Sequence, residues 1–506
     1  MAVFKTLTIA LIGLVGELIT VEVDITDGLP TFTLLGLPDA ALNESRERVR
    51  SALLNSNLKW SNRRTTVSLS PAWLPKSGSG FDLAIAIALL GAQGLVPQTE
   101  IVETIFLGEL GLAGNIKEIK GVLPALIGAK SFGIKRALIP AGNFYETNFV
   151  NGISIIPVNS LSQVLEYLAT GDIPKVVKKV SEIDYRLPDM SEVVGQVQAR
   201  KLVEISAIGG HNILLIGPPG TGKTMLAERF PTILPPLDLE EAIQVAAIHS
   251  IAGINQRGIN LLKTPPFISP HHTTTPVAMI GGGSSWIKPG AISLAHHGIL
   301  FIDEAPECAR GVLDSLRQPL ESGEVVISRA IGSVKFPARF QLILAANPCP
   351  CGKYSGRGLA CTCTQLSIRK YLQKISGPLL DRIDLRIFVE RPSRLELASQ
   401  DLGESSAQIR ARVVTARQIS KERFKSEGWK LNSQIPSDAL RLRFKAERNA
   451  MSYLHSEIDN ERLSARGLHR VLRVAWSFAD AAGHQIPNIE DVEAAYNARN
   501  GADFLI

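Results

Sequence analysis

The residues best suited to chemistry lie in one short run, Gly217-Pro218-Pro219-Gly220-Thr221-Gly222-Lys223-Thr224, directly after the apolar stretch Asn212-Ile213-Leu214-Leu215-Ile216. A buried strand that runs into a glycine-rich loop ending in Lys-Thr is a cradle for nucleotide phosphates. Glycines let successive backbone N–H groups converge on phosphate oxygens, Lys223 reaches the β and γ oxygens, and the Thr224 hydroxyl is placed for Mg²⁺ at a helix N-terminus. The helix-compatible Met225-Leu226-Ala227-Glu228 that follows argues against an ordinary Gly-Pro turn. These residues imply ATP and Mg²⁺ as ligands.

Two more apolar runs complete the site. Gly298-Ile299-Leu300-Phe301-Ile302 delivers Asp303 and Glu304 to the C-terminal end of a second strand, where ligands sit in open α/β sheets. Carboxylates that follow a fully apolar strand are costly without a cation, so Asp303 is expected to hold Mg²⁺ through water and Glu304 to polarise the attacking water. Gln341-Leu342-Ile343-Leu344-Ala345-Ala346 is a third strand, and Asn347 at its end can orient that water or the γ-phosphate.

In order, these residues resemble the AAA+ ATPases: Walker A, Walker B, the sensor Asn347, then Gly377-Pro378-Leu379-Leu380-Asp381-Arg382-Ile383-Asp384 and Ser464-Ala465-Arg466. The resemblance implies that Arg382 is an arginine finger acting on the neighbouring subunit's γ-phosphate, that Arg466 is a second sensor on a helical lid, and that the chain forms a homo-oligomeric ring, usually a hexamer. A surface salt bridge is the lesser alternative for each arginine. Pro266-Phe267-Ile268-Ser269-Pro270-His271-His272-Thr273, Ser293-Leu294-Ala295-His296-His297-Gly298 and Leu316-Arg317-Gln318-Pro319-Leu320-Glu321-Ser322-Gly323 resemble the magnesium-chelatase-like branch. His271 and His272 are expected to be structural or to face a pore.

The alternating stretch from Glu324 to Phe336 is broken by Gly332-Ser333, which predicts a hairpin before the sensor strand. In related ring motors such inserts project into the pore. Lys335, Arg329, Lys288 and Trp286 are therefore candidates for contacting a threaded DNA strand through phosphate charge and base stacking. Solvated loop charge is an equal alternative for each.

The elements that must position these groups fit a chain of 506 residues, 45% hydrophobic, with room for about three domains. The net charge of +6 permits a polyanionic partner without demanding one. The apolar run Leu7 to Gly16 is too short to span a bilayer and reads as strand material. No membrane partner and a cytoplasmic location are expected. The expected fold class is α/β: an N-terminal α/β domain over residues 1–175, a linker over 176–190, an AAA+ P-loop core with a parallel sheet over 191–390, and a C-terminal helical lid over 391–506. In the lid, Leu440 to Arg448 and Leu468 to Trp476 show helical apolar spacing with basic opposite faces.

Leu107-Gly108-Glu109-Leu110-Gly111-Leu112-Ala113-Gly114 and Gly133 to Asn143 resemble the Lon protease domain, which implies a Lon-protease-like α/β domain over residues 1–175. Lon-type proteolysis needs a serine activated by a lysine within hydrogen-bond reach. Gly80 stands at the serine position and Leu123 at the lysine position, so no protease activity is expected. Ser79 and Lys120 are the nearest substitutes. Arg46, Arg48 and Arg50, followed by Lys59-Trp60 and Arg63-Arg64, are compatible with DNA, though helix-surface charge is the commoner meaning.

Cys349-Pro350-Cys351 and Cys361-Thr362-Cys363 are two close pairs on a glycine-rich loop, with Cys308 apart from them. Four thiolates in a cytosolic chain suit a structural Zn²⁺ better than disulfides, although Cys-Pro-Cys also serves as a plain turn. Taken together, the chain is similar to the ComM/YifB family. That likeness implies an ATP-driven DNA helicase that branch-migrates recombination intermediates in natural transformation. A protein-remodelling or regulatory ATPase, and the motor subunit of a metal chelatase, are the rival readings.

Overall fold

The computed structural model describes residues 3–36, 39–76, 78–174, 188–254, 264–283, 287–329, 332–354, 360–394, 396 and 403–500. Trp286 and the side chain of Arg329 lie outside the described residues, as does most of the 176–190 segment.

The first unit is built on β1 (Phe4–Ile12), β2 (Val15–Thr26), β3 (Phe32–Leu35), β4 (Arg64–Ser70) and β5 (Thr104–Phe106). A two-stranded ribbon, β6 (Glu109–Leu110) and β7 (Ile116–Lys117), then precedes β8 (Arg136–Pro140) and β9 (Ser154–Val158). The main sheet has the order β3-β4-β2-β1-β5-β8-β9. The apolar run near the N-terminus forms β1 and the start of β2, an antiparallel hairpin turning at Gly13, which takes a positive φ of 60°. The helix Asp82–Ala92 is apolar on all sides because it lies buried against β1 and β2.

The second unit contains β10 (Ile213–Ile216), β11 (Phe267–Ile268), the ribbon β12 (Gly281–Gly282) and β13 (Lys288–Pro289), and β14 (Ile299–Ile302). The hairpin β15 (Glu324–Arg329) and β16 (Gly332–Pro337), then β17 (Gln341–Ala346) and β18 (Leu385–Phe388), complete it. Five strands form an all-parallel sheet in the order β11-β14-β17-β10-β18. Every residue of β10, β14 and β17 is buried, as expected where helices cover both faces of a parallel sheet. The expected hairpin is present, with Ser328 opposite Ser333. One face of it is buried through Val334 and Phe336, and Val334 meets the turn at Gly13 of the first unit.

The two units share a packed contact. Leu123 joins Leu237, Ala242, Val245 and Ala246 in one apolar cluster. Beside it, Gly121 N–H donates to Ser250 O at 3.1 Å and the Ser250 hydroxyl donates to the buried Glu146.

The C-terminal helices are Ser406–Arg423, Ser437–Leu442, Arg448–Asp459, Ala465–Ala482 and Ile489–Asn500. The helical spacing read from Leu440 to Arg448 is corrected here. One helix ends at Leu442 and the next begins at Arg448, because Phe444 turns inward to pack edge-on against Trp476, with centroids 5.9 Å apart. Burying that ring outweighs continuing the helix. Among the described residues no helix is long and apolar enough to cross a membrane.

Asp384, 3% exposed, ties these helices to the sheet. Arg470 Nη1 lies 2.5 Å from its Oδ1 and His211 Nδ1 3.4 Å from its Oδ2. Burial pushes this carboxyl up, but Arg470 and His211 outweigh it and hold it well below the usual carboxylate range. A depressed folded-state value adds stability that is present above the unfolded value of about 3.9 and lost as pH falls below it. Asp384→Asn strands Arg470 in a nearly closed site and should cost about 3–5 kcal/mol, read as a lower urea midpoint at pH 7. The difference from wild type should shrink on acidification below about pH 4.

Candidate active site

The phosphate loop is shaped by contacts that only glycine permits. A Cβ at Gly217 would lie 2.3 Å from Val389 O, and the Gly217 N–H donates to Ala346 O at 3.2 Å. Gly220 and Gly222 take positive φ values of 75° and 90°, in the left-handed region that costs other residues strain. The helix Lys223–Ile233 begins at Gly222 with no side-chain cap, so its first-turn N–H groups face the loop without a side-chain acceptor. That is the donor set a polyphosphate requires, and the residues fit a bound nucleotide.

Lys223 is buried, with its ammonium 2.6 Å from Gly217 O, 3.1 Å from Pro218 O and 3.1 Å from Asn347 Oδ1. Burial pushes this lysine down from its ordinary range, and Asp303 and Glu304 pull it back. The Thr224 hydroxyl donates to Asp303 Oδ2 at 2.8 Å. A hydroxyl and a carboxylate so paired match the oxygen ligands that Mg²⁺ takes. The parallel pairing of β14 with β17, and of β17 with β10, brings Lys223, Thr224, Asp303 and Asn347 to one end of the sheet.

Glu304 follows at the same end in a left-handed conformation, φ 49°. A non-glycine residue held there costs of order 1 kcal/mol, strain that collects at functional sites. Its Oε2 lies 3.6 Å from His272 Nδ1, and the His272 ring lies tilted against that of His271 with centroids 4.1 Å apart. Sequence reasoning missed this neighbour of Glu304. The one available signal was that a strand ending near Ile268, placed beside β14, must bring His271-His272 toward the acids.

Arg382 and Arg466 lie elsewhere. Asp384 N–H donates to Asn212 O at 3.0 Å, and Asn212 Nδ2 donates to Arg382 O at 3.0 Å, pinning Arg382 to the start of β10. Because β18 runs parallel to β10, Arg382 sits at the end of the sheet opposite the phosphate loop. The four-residue strand alone separates those ends by about 13 Å. Arg382 donates to Pro378 O at 2.6 Å and pairs with Glu321. Arg466 lies 3.1 Å from Asp381. Both arginines line one cavity of about 130 Å³ with Arg470, Arg473, Glu321 and Asp381, and its lining includes no phosphate-loop residue.

The four loop cysteines converge, with Cys349, Cys351, Cys361 and Cys363 Sγ atoms within 4.8 Å of one another. Lys288 is exposed on β13, and Lys335 on the open face of the hairpin pairs with Glu324 at 3.3 Å. The shifted protease pair does not assemble: Ser79 donates to Glu109, while Lys120 lies against Gly253. Arg48 is a structural group, 2.7 Å from the buried Asp82.

The chain matches family models at three places: "Magnesium chelatase, subunit ChlI" over residues 189–397, "Subunit ChlI of Mg-chelatase" over 21–143, and "Magnesium chelatase, subunit ChlI C-terminal" over 403–499. It is 44% identical to an uncharacterized protein of Mycobacterium tuberculosis over 501 residues, covering 99% of each chain. It is 40% identical to competence protein ComM of Haemophilus influenzae, covering 94% of this chain and 93% of that one. To YifB of Escherichia coli it is 39% identical, covering 97% and 96%. With its P-loop sheet and C-terminal helices, the chain thus belongs to the ComM/YifB family of magnesium-chelatase-like AAA+ ATPases.

Proposed function

We propose that this ATPase works as a ring of identical subunits, most simply a hexamer, that couples ATP hydrolysis to movement along DNA and drives branch migration of recombination intermediates during natural transformation. The observation that carries the ring is the placement of Arg382 and Arg466 at the end of the sheet opposite their own phosphate loop. Neither is positioned to serve its own nucleotide. In the lid reading Arg466 senses its own site, but its proximity to Arg382 favours action on the neighbour's. The DNA reading draws on the 40% identity to a protein named for competence and on the exposed Lys288 and Lys335. Trp286 and Arg329 stay in the proposal on sequence grounds. A cytoplasmic location and one structural Zn²⁺ at the four cysteines belong to the same reading.

In this mechanism Gly217 to Thr224 hold the phosphates and Lys223 balances the charge on their β and γ oxygens. Mg²⁺, held through Thr224 and Asp303, would supply further neutralisation of that charge. Glu304 polarises the attacking water, and the Asn347 amide, already beside Lys223, orients the γ end. Arg382, itself mostly enclosed, exchanges the exposed carboxylate of Glu321 for the charge that develops on the neighbour's γ-phosphoryl.

Lys223→Met should weaken binding of a fluorescent ATP analogue by at least about tenfold. Arg382→Ala should keep that binding and lose about 10³-fold in turnover. Mixing Arg382→Ala with Glu304→Gln subunits should restore part of the activity, since an intact cradle then meets an intact finger. A mixture as inactive as its components would place the finger in its own site. Single-stranded or branched DNA should stimulate turnover with a steep salt dependence. Turnover indifferent to DNA but raised by a folded protein would instead support remodelling, and a requirement for porphyrin-binding partners would support a chelatase motor.

A further inference from the structure

The four-cysteine cluster touches the nucleotide site from behind. Three of its sulfur pairs are resolved at 3.3 Å for Cys349 to Cys351, 3.6 Å for Cys349 to Cys361 and 3.6 Å for Cys351 to Cys361. A tetrahedral zinc with bonds near 2.3 Å sets its sulfurs about 3.8 Å apart, whereas a disulfide would bring two of them to about 2.05 Å. All five cysteines are free thiols. The cluster therefore has the donor type, number and spacing of a closed structural zinc site.

Three contacts join this centre to the cradle. Gly352, next to Cys351, has φ 71° and lies so close to the phosphate loop that a Cβ would come within 2.6 Å of Pro219 Cδ. Cys349, fully buried, follows Asn347 by two residues, and Asn347 Oδ1 lies 3.1 Å from Lys223 Nζ. Tyr371 packs with Cys349 in one apolar cluster, and its hydroxyl lies near the Asn347 backbone. The helix that carries Tyr371, Gln365–Leu372, starts just after Cys363 and leads on toward Arg382.

We propose that the cluster holds one Zn²⁺ and that this metal sets the affinity of the cradle for nucleotide, by fixing Gly352 against Pro219 and Asn347 against Lys223. The metal closes a loop that would otherwise have to hold four thiols together with little core of its own, since its cluster is built from Cys349, Ile368, Tyr371 and Leu372. Losing the metal releases both braces at once. The inference deepens the ATPase reading and rests on it.

The test uses the full-length protein purified without chelator. Elemental analysis should give about one zinc per chain, absent in Cys361→Ser and retained in Cys308→Ser, because Cys308 lies outside the cluster. Stripping zinc with a chelator should weaken binding of a fluorescent ADP analogue by at least about tenfold, and adding zinc back should restore it. Gly352→Ala keeps all four ligands while pushing on Pro219, so it should retain zinc and still bind the analogue more weakly. Zinc removed with analogue affinity unchanged, or a zinc-loaded Gly352→Ala that binds as wild type does, overturns the coupling and leaves the ATPase reading standing. A protein that contains no zinc as purified overturns the site itself. A zinc-loaded wild type that binds no nucleotide overturns the ATPase reading instead.

Discussion

A single buried carboxylate sets the relation between the two halves of the proposed catalytic site. Asp384 lies at the start of β18, its backbone bonded to Asn212 at the start of β10, and its side chain is held ionised by Arg470 from the helix Ala465–Ala482. A charge so enclosed is tolerable only while its partners stay in place. The lid helix is therefore locked to one end of the sheet. Arg466 lies one turn before Arg470 on that helix, so the same anchor presents Arg466 beside Asp381 and Arg382. Arg499 adds a further tie through the carbonyl of Ile383 at 2.8 Å.

This lock holds the arginines at the end of the sheet opposite the cradle. In a parallel sheet the C-terminal ends of β10, β14 and β17 collect the phosphate loop, the acids and the amide, while the segment that precedes β18 stays at the opposite end. The separation is set by strand length and cannot be closed by side-chain rotation. Four arginines, Arg382, Arg466, Arg470 and Arg473, line one cavity there with Glu321 and Asp381, which is the surface that the proposed shared site would turn toward a neighbour's nucleotide. The first unit stays attached through the apolar contact around Leu123 and the Glu146–Ser250 bond, both made to the helix Leu239–Ala252.

Much of this was legible in the sequence because the signals were local. Strands buried on both faces read as unbroken apolar runs, as in β10, β14 and β17. The glycines of the phosphate loop mark positive φ angles and close backbone approaches that no other residue meets. The hairpin at Gly332 and the convergence of the four cysteines were likewise written in short spacings. What the sequence did not disclose was set by packing between distant segments. The break after Leu442 depends on a ring pocket formed by Trp476. The approach of His272 to Glu304 depends on β11 lying beside β14. The meeting of Arg382 with Arg466, and the support that Gly352 gives Pro219, depend on how whole helices and loops dock. The pairing of Ser79 with Glu109 rather than with Lys120 is of the same kind, since residues 30 positions apart meet only through the fold.

The central claim is that the ATPase site is shared between subunits. It is tested most directly by measuring ATP turnover per subunit over a wide range of protein concentration, at saturating ATP and Mg²⁺, alongside the sedimentation of the same samples. A shared site predicts that turnover per subunit rises with concentration and levels off where the assembly is complete, with monomers nearly inactive. Constant turnover per subunit down to concentrations at which the protein sediments as a monomer would contradict it.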